Sequence, residues 1–294
     1  MSTAVVSRVY EDPALRESLF ALFDTVWGFL RAKEALAGRL GFAWSRVSTP
    51  FAVVEDGRVV AHAGLLPVDL VVAGRPVTAG ALHAVCVAAD RRGHGLGRRV
   101  LTAALAAADE RYPAVVLASE KEALYARFGF RPRGLHVFVA HGVGGGGGAR
   151  PLDVSRADDA ALWLAAMRTR AALADRFSVI DRGAINTFDA INRDGTHAPL
   201  WIDERLGAVY YARVERGRVI VDDVFAAGPC DGEALLAGMA LAGEAVVFGC
   251  DPQRLGLATQ CVPVAYAPAD DRLQIRGALV DDDVPVAWPA YSFT

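Results

Sequence analysis

Near the start of the chain, apolar residues recur at helical spacing. Leu15, Leu19, Leu22, Phe23, Val26, Trp27 and Leu30 share one side of a 3.6-residue repeat, which predicts a helical stretch over Pro13–Leu40. From Phe51 the period shortens to that of strands. Phe51–Glu55 and Arg58–Leu66 flank Asp56-Gly57, and Val68–Val72 and Val77–Val87 flank Ala73-Gly74. Such dipeptides between apolar runs predict two-residue hairpins, because both central positions need a positive φ. A glycine-rich loop follows, then a helix from near Arg98 to about Arg111, a strand Ala114–Ala118, a short helix and two more strands. A meander feeding a strand–helix–strand unit predicts an α/β fold, a mixed central sheet flanked by helices.

Gly142–Gly148 is glycine at six of seven positions and reads as a linker. It divides the chain into residues 1–141 and 151–294, with 142–150 between them. The second part repeats the first in outline. Ala157–Leu173 is helical in pattern, with Leu162, Trp163, Ala166, Met167 and Ala171 on its buried side. Leu200–Ile202, Leu206–Val214 and Arg218–Phe225 form a meander, and a helix Gly232–Leu241 and a strand Ala245–Gly249 follow. Arg254-Leu255-Gly256-Leu257 then echoes Arg127-Phe128-Gly129-Phe130.

The stretch Arg92-Gly93-His94-Gly95-Leu96-Gly97 joins the strand Leu82–Val87 to the helix behind it. Its glycines let backbone N–H groups approach a ligand closely. The helix N-terminus adds roughly half a positive elementary charge. Together they suit a pyrophosphate, and Arg91, Arg92, Arg98 and Arg99 add charge around it. A nucleotide P-loop would need G-x-x-x-x-G-K-[ST], which is absent. A dinucleotide fingerprint would need glycine at position 98 or 100, where Arg98 and Val100 stand. A plain glycine-rich turn is the remaining alternative.

The loop resembles the acetyl-CoA pyrophosphate loop of the GNAT superfamily of N-acetyltransferases. A second segment strengthens the resemblance: Ser119-Glu120-Lys121-Glu122-Ala123-Leu124-Tyr125-Ala126-Arg127-Phe128-Gly129-Phe130 is similar to the Tyr-bearing helix and Gly-Phe pair of the Eis-like branch (enhanced intracellular survival proteins). The expected fold is therefore two tandem GNAT-like domains, the second degenerate. Where the second phosphate loop would stand, the chain has Ala226-Ala227-Gly228-Pro229-Cys230-Asp231-Gly232, and Pro252 takes the place of Tyr125. Eis-like proteins usually carry a further sterol-carrier-like domain, for which this chain is too short.

The resemblance implies acetyl-CoA as co-substrate. It would be held by backbone groups of Val85, Cys86 and Val87, by the loop from Arg92, Gly93, His94, Gly95, Leu96 and Gly97 to Arg98, and by Ser119. Acetyl transfer to an amine needs a neutral amine, a stabilised oxyanion and a proton for the leaving thiolate. Tyr125 is the candidate acid, since a phenol near pKa ~10 can return a proton to a thiolate whose acid is near ~8.5. His83 is the candidate base or water anchor, set two positions before Val85 on the same strand; a satisfied core histidine is the equal alternative. Glu34 and Glu120 are weaker bases. Cys86 has no paired base in sequence and reads as a packed thiol rather than an acyl carrier.

Composition narrows the partners. A net charge of −3 over 294 residues argues against a nucleic-acid or membrane footprint. No apolar run is long enough to span a bilayer, and Met1–Tyr10 lacks the pattern of a signal peptide. Cys86, Cys230, Cys250 and Cys261 show neither metal spacing nor a disulfide framework, which points to a reducing cytoplasm and no metal. The expectation is a cytoplasmic N-acetyltransferase acting on a primary amine by direct attack in a ternary complex. The acceptor, a small molecule or a peptide, is not read from the chain, and self-association stays open. An acyl-CoA-binding sensor and a transferase of longer acyl groups are the rivals.

Overall fold

The computed structural model describes residues 4–28, 30–143, 145–180, 199–267 and 270–289. In chain order the first half contains β1 (Val5–Val6), α1 (Pro13–Trp27), α2 (Leu30–Arg39), α3 (Trp44–Val47), β2 (Thr49–Glu55), β3 (Arg58–Val72), β4 (Arg75–Val87), α4 (Leu96–Asp109), β5 (Ala114–Ser119), α5 (Glu122–Ala126), β6 (Arg131–Pro132) and β7 (His136–Val143). The second contains β8 (Arg150–Pro151), α6 (Ala157–Thr169), β9 (Phe177–Val179), β10 (Leu200–Asp203), β11 (Ala208–Glu215), β12 (Arg218–Phe225), α7 (Gly232–Gly238), β13 (Gly243–Phe248), β14 (Gln260–Pro263) and β15 (Arg272–Gly277).

Local chemistry accounts for the boundaries. The Asp12 carboxylate accepts from the Ala14 and Leu15 amides at 2.8 and 3.2 Å and caps α1. The expected single helix over Pro13–Leu40 is broken because Gly28, at φ +35°, turns the chain left-handed after Trp27. Asp56-Gly57 and Ala73-Gly74 are hairpin turns with positive φ at both positions, as their sequence predicts. The two strands expected on either side of Pro67 are one: β3 runs through it, with Pro67 opposite Gly80.

Two mixed sheets result, ordered β6-β15-β5-β4-β3-β2-β1 and β14-β7-β13-β12-β11-β10-β8, with β9 added to β3 in the first. Read in this direction they correspond position by position. In each, one parallel pair, β4–β5 or β12–β13, lies within an otherwise antiparallel sheet. The halves exchange their penultimate strands. β15, from the second half, lies between β5 and β6, while β7, from the first, pairs with β13 and β14.

That exchange changes the meaning of the glycine run. Gly142 lies within β7, and a Cβ there would come within 2.4 Å of the Glu244 carbonyl oxygen on β13. The amide of Gly148 donates to the Gly238 carbonyl at 2.9 Å. The run is therefore not a free linker along its described length. Gly142 permits close backbone approach of β7 to β13, and the run then joins β7 to β8 within the second sheet; Gly144 lies outside the described residues.

The largest apolar cluster joins α1 and α4 to the first sheet through Leu19, Phe23, Val53, Ala61, Val100 and Leu105. A second fills the other sheet around Phe138, Tyr210, Val221, Leu235 and Phe248. Among the described residues, no helix is long and apolar enough to cross a membrane.

Candidate functional site

The site grows from the way β4 leaves β5. These strands pair at Gly80–Val115 and Ala81–Val116 and then part, β4 continuing to Val87 and β5 to Ser119. The edge of β4 that faces β5 thus has no strand partner along Val85, Cys86 and Val87. Buried polar backbone needs partners, so this opening suits a ligand that brings amides and carbonyls of its own.

At the end of β4 the chain turns through the glycine loop into α4. Gly93 and Gly95 sit at φ +82° and +74°, with open space where a Cβ would be. Glycine is needed here for conformation rather than room. Gly95 is the N-cap of α4, and among the described residues no side chain bonds the first-turn amides. The N–H groups of Leu96, Gly97 and Arg98 therefore lie at a helix N-terminus ready for an anion. Gly97 packs against β4, its Cβ position 3.4 Å from Val87 Cγ2.

The arginines divide. Arg91 is engaged by Glu55 at 2.8 Å and Asp90 at 3.3 Å, so its charge is largely answered. Arg92 donates through Nε to the Val87 carbonyl at 3.3 Å and is exposed, as is Arg98. His94 is exposed and its Nδ1–H donates to the Arg92 carbonyl at 3.0 Å, which steadies the loop.

On the far side of the opening, Ser119 ends β5. Its carbonyl accepts from Gln274 Nε2 at 2.9 Å and its Oγ accepts from the Lys121 amide at 3.1 Å. The Glu120 amide donates to Asp271 Oδ1 at 2.9 Å. Gln274 and Asp271 belong to the exchanged segment, so the second half helps build this end of the site; nothing in their sequence surroundings signals it. Tyr125, on α5, is 7% exposed and packs edge-on against Phe130 at 6.0 Å. Burial, then the carboxylates of Glu120 and Asp271, pushes its phenol up to about 12. It stays protonated at every physiological pH, the state an acid requires.

His83 lies in a different setting from the one the alternation on β4 suggests. Ala84, at φ +48°, interrupts the strand, and the register shifts between His62 and Gly64 on β3. Side-chain direction past this bulge no longer follows a period of two, so a spacing of two does not put His83 on the face of Val85. His83 is 4% exposed, with Nε2 2.6 Å from Ser48 Oγ and its ring 4.9 Å from Trp44. Burial, then the neighbouring His62, pushes its pKa down to about 3. A base that takes a proton from an ammonium works best near neutrality; this imidazole is a neutral core group instead.

Cys86 is buried, and desolvation pushes its thiol up to about 12, which keeps it from acting as a nucleophile. Glu34 is buried, accepts from the Trp44 amide at 2.8 Å, and is raised by burial. Glu120 is exposed and held below the usual range, first by its own backbone N–H. Among the described residues no group of three or more His, Cys, Asp or Glu is placed to hold a metal.

The corresponding place in the second sheet carries different chemistry, beside a pocket lined by Leu173, Ala226, Pro229, Cys230 and Arg254. The Asp231 carboxylate caps α7, accepting from Ala234 N at 3.2 Å, where α4 has bare amides. Past the point where β12 and β13 part lie three buried carboxylates, each held by an arginine: Asp222 by Arg213 at 2.5 Å, Asp223 by Arg170 at 2.7 Å and Asp251 by Arg176 at 2.9 Å. The Arg170 guanidinium also lies 4.2 Å over the Phe225 ring. Gly256, at φ +71°, repeats the turn of Gly129 at +85°, so the backbone echo is kept while the site chemistry is gone.

Residues 16–133 match the family model described as acetyltransferase (GNAT) domain, and the first half accordingly contains a GNAT acetyltransferase domain. No curated protein is significantly similar in sequence to the chain. Among solved structures, a GCN5-related N-acetyltransferase from Kribbella flavida aligns with a TM-score of 0.54 at 18% identity, over 92% of this chain and 71% of that one. A conserved protein of unknown function from Enterococcus faecalis V583 aligns with a TM-score of 0.57 at 12% identity, over 93% and 71%. Eis1 from Mycobacterium abscessus aligns at 0.47 and 17% identity, over 76% and 64%. The first two establish the α/β fold; the third is too distant to fix a branch.

Proposed function

We propose that this chain, with its GNAT acetyltransferase domain over residues 16–133, transfers an acetyl group from acetyl-CoA to a primary amine by direct attack in a ternary complex. The observation that carries the reading is the uncapped N-terminus of α4 at the mouth of the β4–β5 opening. The group fits the residues present. Bare amides from Leu96 to Arg98, with Arg92 and Arg98 beside them, suit a pyrophosphate, and the freed β4 edge suits a pantetheine chain. Acetyl-CoA would supply the activated acyl carbonyl and a thiol leaving group.

The protein's own share is positioning and proton delivery. Backbone N–H groups of Val85–Val87 would polarise the carbonyl, a contribution that grows as charge develops on oxygen. Tyr125, protonated throughout, would give the departing sulfur its proton. The neutral form of the amine would have to arise without His83, which is not basic enough to take its proton; bulk water or Glu34 remains for that step. The second half, whose own phosphate position is capped by Asp231, would act as a wall of the acceptor cleft and bring Gln274 and Asp271 to the end of β5.

We further propose the Eis-like tandem layout, a small-molecule or peptide amine as acceptor, and the cytoplasm as the place of action. A continuous thiol-release assay with acetyl-CoA and a panel of polyamines, amino acids, aminosugars and lysine peptides tests this reading. Amine-dependent release of coenzyme A, with the acetylated amine identified by mass, supports it. Binding of acetyl-CoA without turnover on any amine would turn the reading toward a sensor.

A further inference from the structure

Four non-glycine residues among those described have positive φ. Asp56, Ala73 and Arg216 each open a two-residue turn ahead of a glycine, where that conformation is ordinary. Ala84, at φ +48°, is the fourth and lies inside a strand. A left-handed alanine within a ladder is strained and persists only where its surroundings hold it. Its position gives the strain meaning. His62 pairs with Cys86 and Gly64 with His83, so Ala84 and Val85 stand opposite Ala63 alone. This bulge lies within the part of β4 that β5 has already left.

Two buried imidazoles surround it. The His62 Nδ1–H donates to the Ala84 carbonyl at 2.8 Å. His83, the residue before the bulge, is fixed by Ser48 Oγ at 2.6 Å and by the Trp44 ring. Space for His83 is provided by Gly64, where a Cβ would fall 2.3 Å from its Nε2. The His62 ring packs edge-on against Phe23 at 5.0 Å and lies 6.4 Å from His83. Stability does not account for this pair. His62 Nε2 and His83 Nδ1 are buried and, among the described residues, have no hydrogen-bond partner; an apolar pair of similar size would avoid that penalty. Burial pushes the two rings down to about 4 and about 3, so both are neutral and neither exchanges protons near pH 7.

We propose that His62 and His83 are positioning residues of the acyl-CoA site, which together clamp the Ala84 bulge on the stretch of β4 that β5 has left. The inference rests on the acyl-CoA reading above. His62 fixes the carbonyl on one side of the distorted peptide unit, and His83, wedged between Ser48, Trp44 and Gly64, fixes the strand just before it. Neither ring touches the substrate. Without the clamp, Ala84 would relax toward ordinary extended backbone, and the alternation of Val85 to Val87 would shift.

Isothermal titration of the full chain tests this with two probes: acetyl-CoA, and 3′-phospho-ADP, which carries the nucleotide and pyrophosphate but no pantetheine or acyl group. His62→Phe keeps a flat ring and removes the donor; His62→Asn places an amide N–H near the former Nδ1–H. The expected result is at least tenfold weaker acetyl-CoA binding for His62→Phe with 3′-phospho-ADP affinity within twofold, and recovery to within threefold for His62→Asn. Should His62→Phe not fold, His62→Leu, which also lacks the donor, takes its place under the same expectations. Equal acetyl-CoA affinity in the donor-less variant, or equal loss for both probes, overturns the clamp. A wild-type chain that binds neither probe overturns the acyl-CoA reading instead.

Discussion

Replacing Gly95 separates the two things this residue does. Gly95 stands at φ +74° with open space around its Cβ position, so any side chain fits but is strained. For alanine that strain is about 1–2 kcal/mol. It is present in free and liganded protein alike, so Gly95→Ala should lower stability and leave affinity within about threefold. Gly95→Asp carries the same backbone strain and adds a carboxylate at the N-cap of α4. Near a helix N-terminus that charge returns about 0.3–1 kcal/mol to the fold. Against a phosphate about 5 Å away, at an effective dielectric of about 20, it costs about 3 kcal/mol, roughly halved by salt and exposure. The remaining ~1.4 kcal/mol or more is a tenfold or greater loss of acetyl-CoA affinity. The second half already shows the design, since Asp231 caps α7. Calorimetric titration of both variants, with thermal unfolding alongside, is the assay. A folded Gly95→Asp protein that binds acetyl-CoA as tightly as Gly95→Ala would refute the assignment of this loop to the pyrophosphate.

Two further expectations follow from the site. Tyr125→Phe should lower kcat by about 10²–10⁴ with little change in acetyl-CoA affinity, and because the phenol is raised to about 12, wild-type rates should show no alkaline fall from this group between pH 7 and 10; full kcat in the variant removes Tyr125 from the chemistry. The depressed pKa values of His62 and His83 make stability present above pH 6.5 and lost as pH falls toward about 4 and about 3. Each histidine should therefore withdraw about 2 kcal/mol by pH 5, and unfolding midpoints that are flat from pH 7 to 5 would contradict their burial as neutral rings.

Much of this site is legible in the sequence, and the parts that are not have physical reasons. The hairpin at Asp56-Gly57, the glycine loop and the Gly129 turn are written in residues whose backbone needs are unusual, so local chemistry reveals them. The opening between β4 and β5 follows from the resemblance to a known fold. The bulge at Ala84 is hidden because alanine gives no hint of a positive φ; only the lone His62 in the apolar run Val59–Leu66 marks the place. The strand exchange is hidden because Leu273 and Ile275 would look the same in either sheet, and partner choice depends on the whole chain. The glycine run misleads for a related reason: glycine serves flexibility and close approach equally well, and only the backbone of β13 beside Gly142 decides between them. The loss of the second phosphate loop, by contrast, is visible in advance, since Pro229 lacks an N–H and Asp231 and Glu233 would repel a pyrophosphate.

The central claim is that one acyl-CoA site, at the N-terminus of α4, serves the whole chain. Native mass spectrometry of the intact protein with excess acetyl-CoA measures it directly. The account predicts one bound acetyl-CoA per chain, absent in Gly95→Asp. No adduct at all, or two per chain, would contradict it.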